Sequence, residues 1–122
     1  MCPGVVLLAA LLILPLSGCG LAPPPMAGSK WAQALREPDA KLRRKAAFTL
    51  GNIGPSDAAV LPALVGALKD PDVEVRCEAM LALVKYGPEA RGAISILTEL
   101  QKKDRAPKAR SYAAKVLAKL QD

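Results

Sequence analysis

Histidine is absent from all 122 residues, and aromatic side chains make up only 3% of them. Without imidazole the commonest general base and metal ligand is missing, so the usual catalytic triads and most zinc or non-haem iron sites are excluded. The length fits one small domain. What the chain does have is apolar residues, 52% of the total, and a formal charge of +6. The two are segregated: residues 1–18 are almost wholly apolar, and every Lys and Arg lies from Lys30 onward.

The apolar run Val5 to Leu14 ends at Pro15 and is 10 residues long, about half of the roughly 20 that a helix needs to cross a bilayer. It reads as the core of a signal peptide over residues 1–18. The following Leu16-Ser17-Gly18-Cys19 resembles the lipobox of bacterial lipoproteins. That resemblance implies a diacylglycerol thioether on Cys19, cleavage before it, and membrane attachment in the bacterial envelope. In that family Gly20, rather than Asp, after the lipidated Cys points to the outer membrane, facing the periplasm, in a diderm cell. An uncleaved anchor and a signal cut elsewhere remain the alternatives, because Met1-Cys2-Pro3-Gly4 carries no Lys or Arg.

Residues 19–29, with Pro23, Pro24 and Pro25 in succession and no charge, read as a semi-extended tether. At roughly 3 Å per residue it would hold a domain about 30 Å from a lipid surface. Once Cys2 is removed and Cys19 alkylated, Cys77 is a lone thiol with no internal disulfide partner. It is either a small filler residue or a contact to a partner.

Residues 30–122 carry a repeat. Pro38, Asp39, Arg43, Ala46, Leu50, Gly54 and Pro55 recur 33 residues later as Pro71, Asp72, Arg76, Ala79, Leu83, Gly87 and Pro88. Arg110, Ala113 and Leu117 continue the series at a spacing of 34. A fixed period of this size signals stacked supersecondary units. Leu42, Ala46, Leu50 and Ile53 share one helical face, as do Val75, Ala79, Leu83 and Tyr86, and Ala109, Ala113, Leu117 and Leu120. Further apolar segments, Val60 to Leu68 and Ile94 to Leu100, supply a preceding helix for the later units. Gly54-Pro55 and Gly87-Pro88 place a left-handed-capable residue after one helix and a helix-starting proline before the next. Asp39 and Asp72 stand at N-cap positions. The pattern predicts helices at 30–36, 39–53, 56–69, 72–86, 89–102 and 107–120, and no strand.

These residues resemble HEAT-repeat proteins, in particular the short HEAT-like repeats of phycobilisome lyases. The resemblance rests on Leu61-Pro62-Ala63-Leu64, Leu68-Lys69-Asp70-Pro71-Asp72, Val75-Arg76 and Ala79-Met80-Leu81-Ala82-Leu83. It implies an all-α, short right-handed α-solenoid of about three HEAT-like helix pairs. It also implies a ladder in which an acid six residues before an Arg joins it between stacked units. The matching residues are Glu37 with Arg43, Asp70 with Arg76, and Asp104 with Arg110. Trp31, on a truncated first helix, is placed to cap one end, and Leu117 and Leu120 to leave an apolar edge at the other.

At about 100° per residue, the outward positions of the second helices are Lys41, Arg44 and Phe48, then Glu74, Cys77 and Leu81, then Lys108, Ser111 and Lys115. Phe48 and Leu81 are apolar at equivalent places. They either pack against loops or, with Arg44, Cys77, Lys108 and Lys115, form a strip that binds a partner segment with apolar and acidic residues. Lys102, Lys103, Arg105, Lys108, Arg110, Lys115 and Lys119 make the last unit basic. That basic helix is either a solvated face or a contact for an anionic envelope surface. Nucleic acid is not expected as a partner of an exported chain.

The expected function is a non-enzymatic, membrane-anchored interaction or scaffold module serving another envelope protein, with no cofactor, metal or catalytic residue. The resemblance leaves one alternative, an accessory protein of bilin-lyase-like type that assists an enzyme or cofactor attachment. Asp70, Asp72 and Glu74 lie close together, but the ladder, the N-cap and a surface position explain them better than a carboxylate pair does.

Overall fold

The structure, a computed structural model, describes residues 27–55 and 58–122. The signal peptide, Cys19 and the tether up to Met26 lie outside the described residues. Among the described residues six α-helices follow in order: α1 Ala27–Ala34, α2 Ala40–Ile53, α3 Val60–Ala67, α4 Val73–Tyr86, α5 Ile94–Lys103 and α6 Pro107–Gln121. A 3-10 segment, Gly87–Ala93, leads into α5. There is no strand among the described residues. The helices pair as α1 with α2, α3 with α4, and α5 with α6, and the second helices stack α2 on α4 on α6. This is the all-α stack of helix pairs that the 33-residue period requires.

The second helices begin and end as the sequence dictates. Asp39 accepts from the Lys41 amide at 3.0 Å, and Asp72 from those of Glu74 and Val75 at 2.8 and 3.2 Å. Each thereby satisfies amides that a helix start leaves orphaned. Gly54 and Gly87 end α2 and α4 with φ of 83° and 64°, a region in which an L side chain is strained. Pro107 opens α6, where its missing N–H costs nothing.

The first helices depart from the expected bounds for identifiable reasons. Helix α3 starts at Val60, not at 56, which places Pro62 in the first turn. A start at 56 would drive the proline ring into the carbonyl of Ala58 within a helix interior. The last turn of α3 tightens, with the Leu68, Lys69 and Asp70 amides bonded to carbonyls three residues back. Helix α5 starts at Ile94 rather than 89. In the segment before it the buried anchors, Ala90 and Ala93, stand three residues apart, the eclipsed spacing of a 3-10 turn. Helix α1 starts at Ala27, ahead of the expected 30.

One apolar core runs through the stack. Leu50, Leu64, Leu68, Met80, Leu83 and Leu97 are fully buried within it. Leu117 and Leu120 are also buried, at 6% and 4% exposure, so they leave no apolar edge. Their side chains turn inward onto the third unit's own pair. The units approach closely at Gly51, where a Cβ would lie 3.0 Å from the Ala82 Cβ. Tyr86 adds a polar bond inside the core, its hydroxyl donating to the carbonyls of Leu50 and Gly54 at 2.9 Å each.

Candidate partner-binding surface

Positions on the second helices are set by an arginine ladder. Arg43 donates Nη1 to the carbonyls of Glu37 and Pro38, both at 2.8 Å. Its Nε and Nη2 reach Asp70 of the next unit at 2.8 and 3.1 Å. Arg76 repeats the arrangement one unit on, with Nη1 on the carbonyls of Asp70 and Pro71 and a two-pronged grip on Asp104 at 2.8 Å. Arg110 donates Nη1 to the Asp104 carbonyl at 2.6 Å. The pairs suggested by the family pattern are therefore corrected. Within a unit the Arg bonds a backbone carbonyl six residues back, and the ion pair runs to the carboxylate of the following unit. Glu37 contributes only its carbonyl.

A two-pronged guanidinium–carboxylate pair is strong and orientation-specific. Burial alone would raise the Asp104 carboxyl, but hydrogen bonds from Arg76 and from the Ala106 amide, with the nearby guanidiniums, hold it below its ordinary value. Asp70 likewise braces the start of α4 by accepting from the Asp72 amide at 2.9 Å.

With the ladder fixing the rotation of α2, α4 and α6, three large apolar side chains remain exposed among the described residues, Leu42 at the first unit and Phe48 and Leu81 at equivalent outward positions. Phe48 is 53% exposed and Leu81 43%. Lys85 lies 5.7 Å from the Phe48 ring centre and donates to Asn52 at 2.8 Å. Arg44 is exposed and only loosely engaged with Glu78, at 3.7 Å. Lys115 is exposed beside Tyr112, 6.0 Å from its ring. Phe48, Leu81, Arg44 and Lys115 thus form an apolar strip edged by cations.

Two expected members stand apart from it. Cys77 is buried at 2% exposure, although its register equivalents Arg44 and Ser111 are exposed, and Lys108 and Asp104 of the third unit lie near it. Burial pushes its thiol pKa up, away from reactive thiolate. Lys108 is spent on Glu74, at 2.7 and 3.0 Å. Sequence reasoning missed Lys85, and it placed Tyr86 on the buried face without its hydroxyl's hydrogen bonds. The signal for Tyr86 was its place in the register of Ile53 and Leu120, where only it carries a polar tip.

Other arrangements are structural. Asp70 serves the ladder, Asp72 caps α4 and Glu74 pairs with Lys108. Grooves of about 280 and 420 Å³ between α1 and α3 are lined mainly by Ala32, Pro62 and Ala63, with Arg36 at their margin. Among the described residues no group of His, Cys, Asp or Glu could hold a metal ion, and no helix is long and apolar enough to cross a membrane.

Residues 28–120 match the family of HEAT repeats. The chain belongs to the HEAT-repeat family. Among curated proteins none matches the chain. The HEAT match covers all three helix pairs, including the first, whose α1 is the shortest of the first helices together with α3. HEAT repeats are generally non-catalytic stacks suited to protein interaction or scaffolding.

Proposed function

We propose that this chain is a lipid-anchored HEAT module of the bacterial envelope that holds another envelope protein against the outer face of its second helices. The observation that carries the reading is the exposure of Phe48 and Leu81 at equivalent positions of adjacent units, edged by Arg44, Lys85 and Lys115. An apolar centre with a charged rim is the composition of a protein-binding patch, and it suits a partner segment bearing apolar and acidic residues. The lipobox-like Leu16-Ser17-Gly18-Cys19 and the proline tether support attachment through Cys19. Lys102, Lys103, Arg105 and Lys119 are exposed on the last unit, where they favour contact with an anionic surface.

Two experiments test the reading. Fatty-acid labelling in a bacterial host compares wild type with Cys19→Ser. Label lost in the variant, with a mature chain beginning at Cys19, supports the anchor; an unlabelled, unprocessed wild type contradicts it. Phe48→Ala combined with Arg44→Glu and Lys115→Glu should reduce partner capture at least tenfold, and unchanged capture would sink the strip.

A further inference from the structure

Among the described residues, the first and last helix pairs leave complementary ladder groups unmatched. At the C-terminal end, Arg110 occupies the register of Arg43 and Arg76. Its Nη1 is held by its own unit's carbonyls, but the Nε and Nη2 that grip the next unit's carboxylate in Arg43 and Arg76 meet no carboxylate among the described residues. Beyond it on the same stripe of α6 lie Ala114, half-buried, and Ala118, exposed. Their register equivalents on α2 are Ala47 and Gly51, both buried, and Gly51 lies close against Ala82 of α4. The stripe Arg, small, small at four-residue steps matches the α2 surface that seats the second unit, whereas α4 seats the third with Met80 and Val84 in that register.

At the N-terminal end the converse holds. Leu42 is 37% exposed, although its register equivalents Val75 and Ala109 are fully buried. Trp31 is only partly buried, although Leu64 and Leu97, which hold its register, are fully buried. Both positions carry a larger apolar side chain than their inner counterparts. Glu37 stands where Asp70 and Asp104 stand in the ladder, and its exposed carboxylate has no hydrogen-bond or ion-pair partner among the described residues.

We infer that copies of this chain stack head to tail, with Glu37 of one copy entering the ladder beside Arg110 of another as Asp70 does beside Arg43. The stripe Arg110, Ala114 and Ala118 would receive the Leu42 and Trp31 face of the second copy. Lys41 of that copy would come beside Lys108, whose charge Glu74 already offsets. Because the two surfaces differ, the contact is heterologous and extends as an open row rather than closing as a two-fold dimer. This surface is separate from the outer strip and does not depend on it.

Sedimentation of the full chain in dilute nonionic detergent over a hundredfold concentration range tests the inference. Wild type should rise in weight-average mass at least twofold, while Glu37→Arg and Arg110→Glu alone remain monomeric. The double variant, or an equal mixture of the two single variants, should regain association because the charges again match. Arg110 also bonds its own backbone, whereas the Glu37 side chain makes no hydrogen bond among the described residues, so Glu37→Arg is the decisive single variant. Three results would overturn the inference: a monomeric wild type at every concentration, association that Glu37→Arg leaves intact, or failure of both the double variant and the mixture to associate.

Discussion

Arg76 and Asp104 are 28 residues apart in sequence yet meet in two parallel bonds of 2.8 Å, with side-chain exposures of 13% and 3%. The same guanidinium is bonded to two carbonyls of its own unit, so one side chain closes the turn of the second unit and fastens the third to it.

Removing one partner of such a pair leaves the other buried and uncompensated, which costs about 3 to 5 kcal/mol. Arg76→Ala should lower unfolding free energy by about that amount, and Arg43→Ala by somewhat less because Asp70 is the more exposed acid. Denaturant titration of Arg76→Ala, Asp104→Ala and the double variant checks this: a coupling energy near zero would contradict a ladder that joins units.

The same pair sets an acid limit. The folded Asp104 carboxyl lies below its ordinary value of 3.8. Its contribution is therefore complete above that pH and is lost as pH falls through that value toward the folded one. Thermal melts between pH 6 and 2 should show a fall in stability below about pH 4 that is flatter in Asp104→Asn, which starts from a lower plateau.

Tyr86 sets an alkaline limit of opposite sign. Burial, with Glu89 nearby, pushes its phenol up from 10.0 to about 12. The folded state thus prefers the protonated phenol, and its advantage, present below the unfolded value, is lost as pH rises from 10 toward 12. Tyr86→Phe should cost about 1 kcal/mol at neutral pH, because the Gly54 carbonyl loses its donor while the Leu50 carbonyl keeps the Gly54 amide. It should also remove the alkaline slope, as read by melts between pH 8 and 12.

Close approach of α2 to α4 depends on a missing side chain. A Cβ at Gly51 would lie 3.0 Å from the Ala82 Cβ and 3.1 Å from its Cα. Because backbone lies in the path, Gly51→Val should destabilise by about 1 to 3 kcal/mol through overpacking, despite the better helix propensity of valine. An unchanged or raised melting temperature would contradict that packing.

How far the sequence reveals this molecule follows from what repetition can encode. The period that aligns Arg43, Arg76 and Arg110 places the ladder, the caps at Asp39 and Asp72 and the stops at Gly54 and Gly87. It cannot say which rung an Arg uses, because Glu37 and Asp70 stand on either side of Arg43 in equivalent places, and only stacking brings the second within 2.8 Å. Cys77 shares the register of the exposed Arg44 and Ser111 yet is buried, so its environment depends on the neighbouring unit and not on the period. Phe48 and Leu81, at the centre of the outward arc, are exposed as their spacing requires. Helix starts fail where the deciding feature is local sterics, as at Pro62, rather than apolar period.

The account centres on the outer strip as the partner-holding face. A photoreactive benzoyl-phenylalanine placed at position 48, at position 81, or at the exposed Gln101 of α5 tests it in the full chain in cells. Irradiation should give the same discrete adduct from positions 48 and 81, weakened by Arg44→Glu, and none from 101. Equal labelling from all three positions, or adducts from 101 alone, would contradict it.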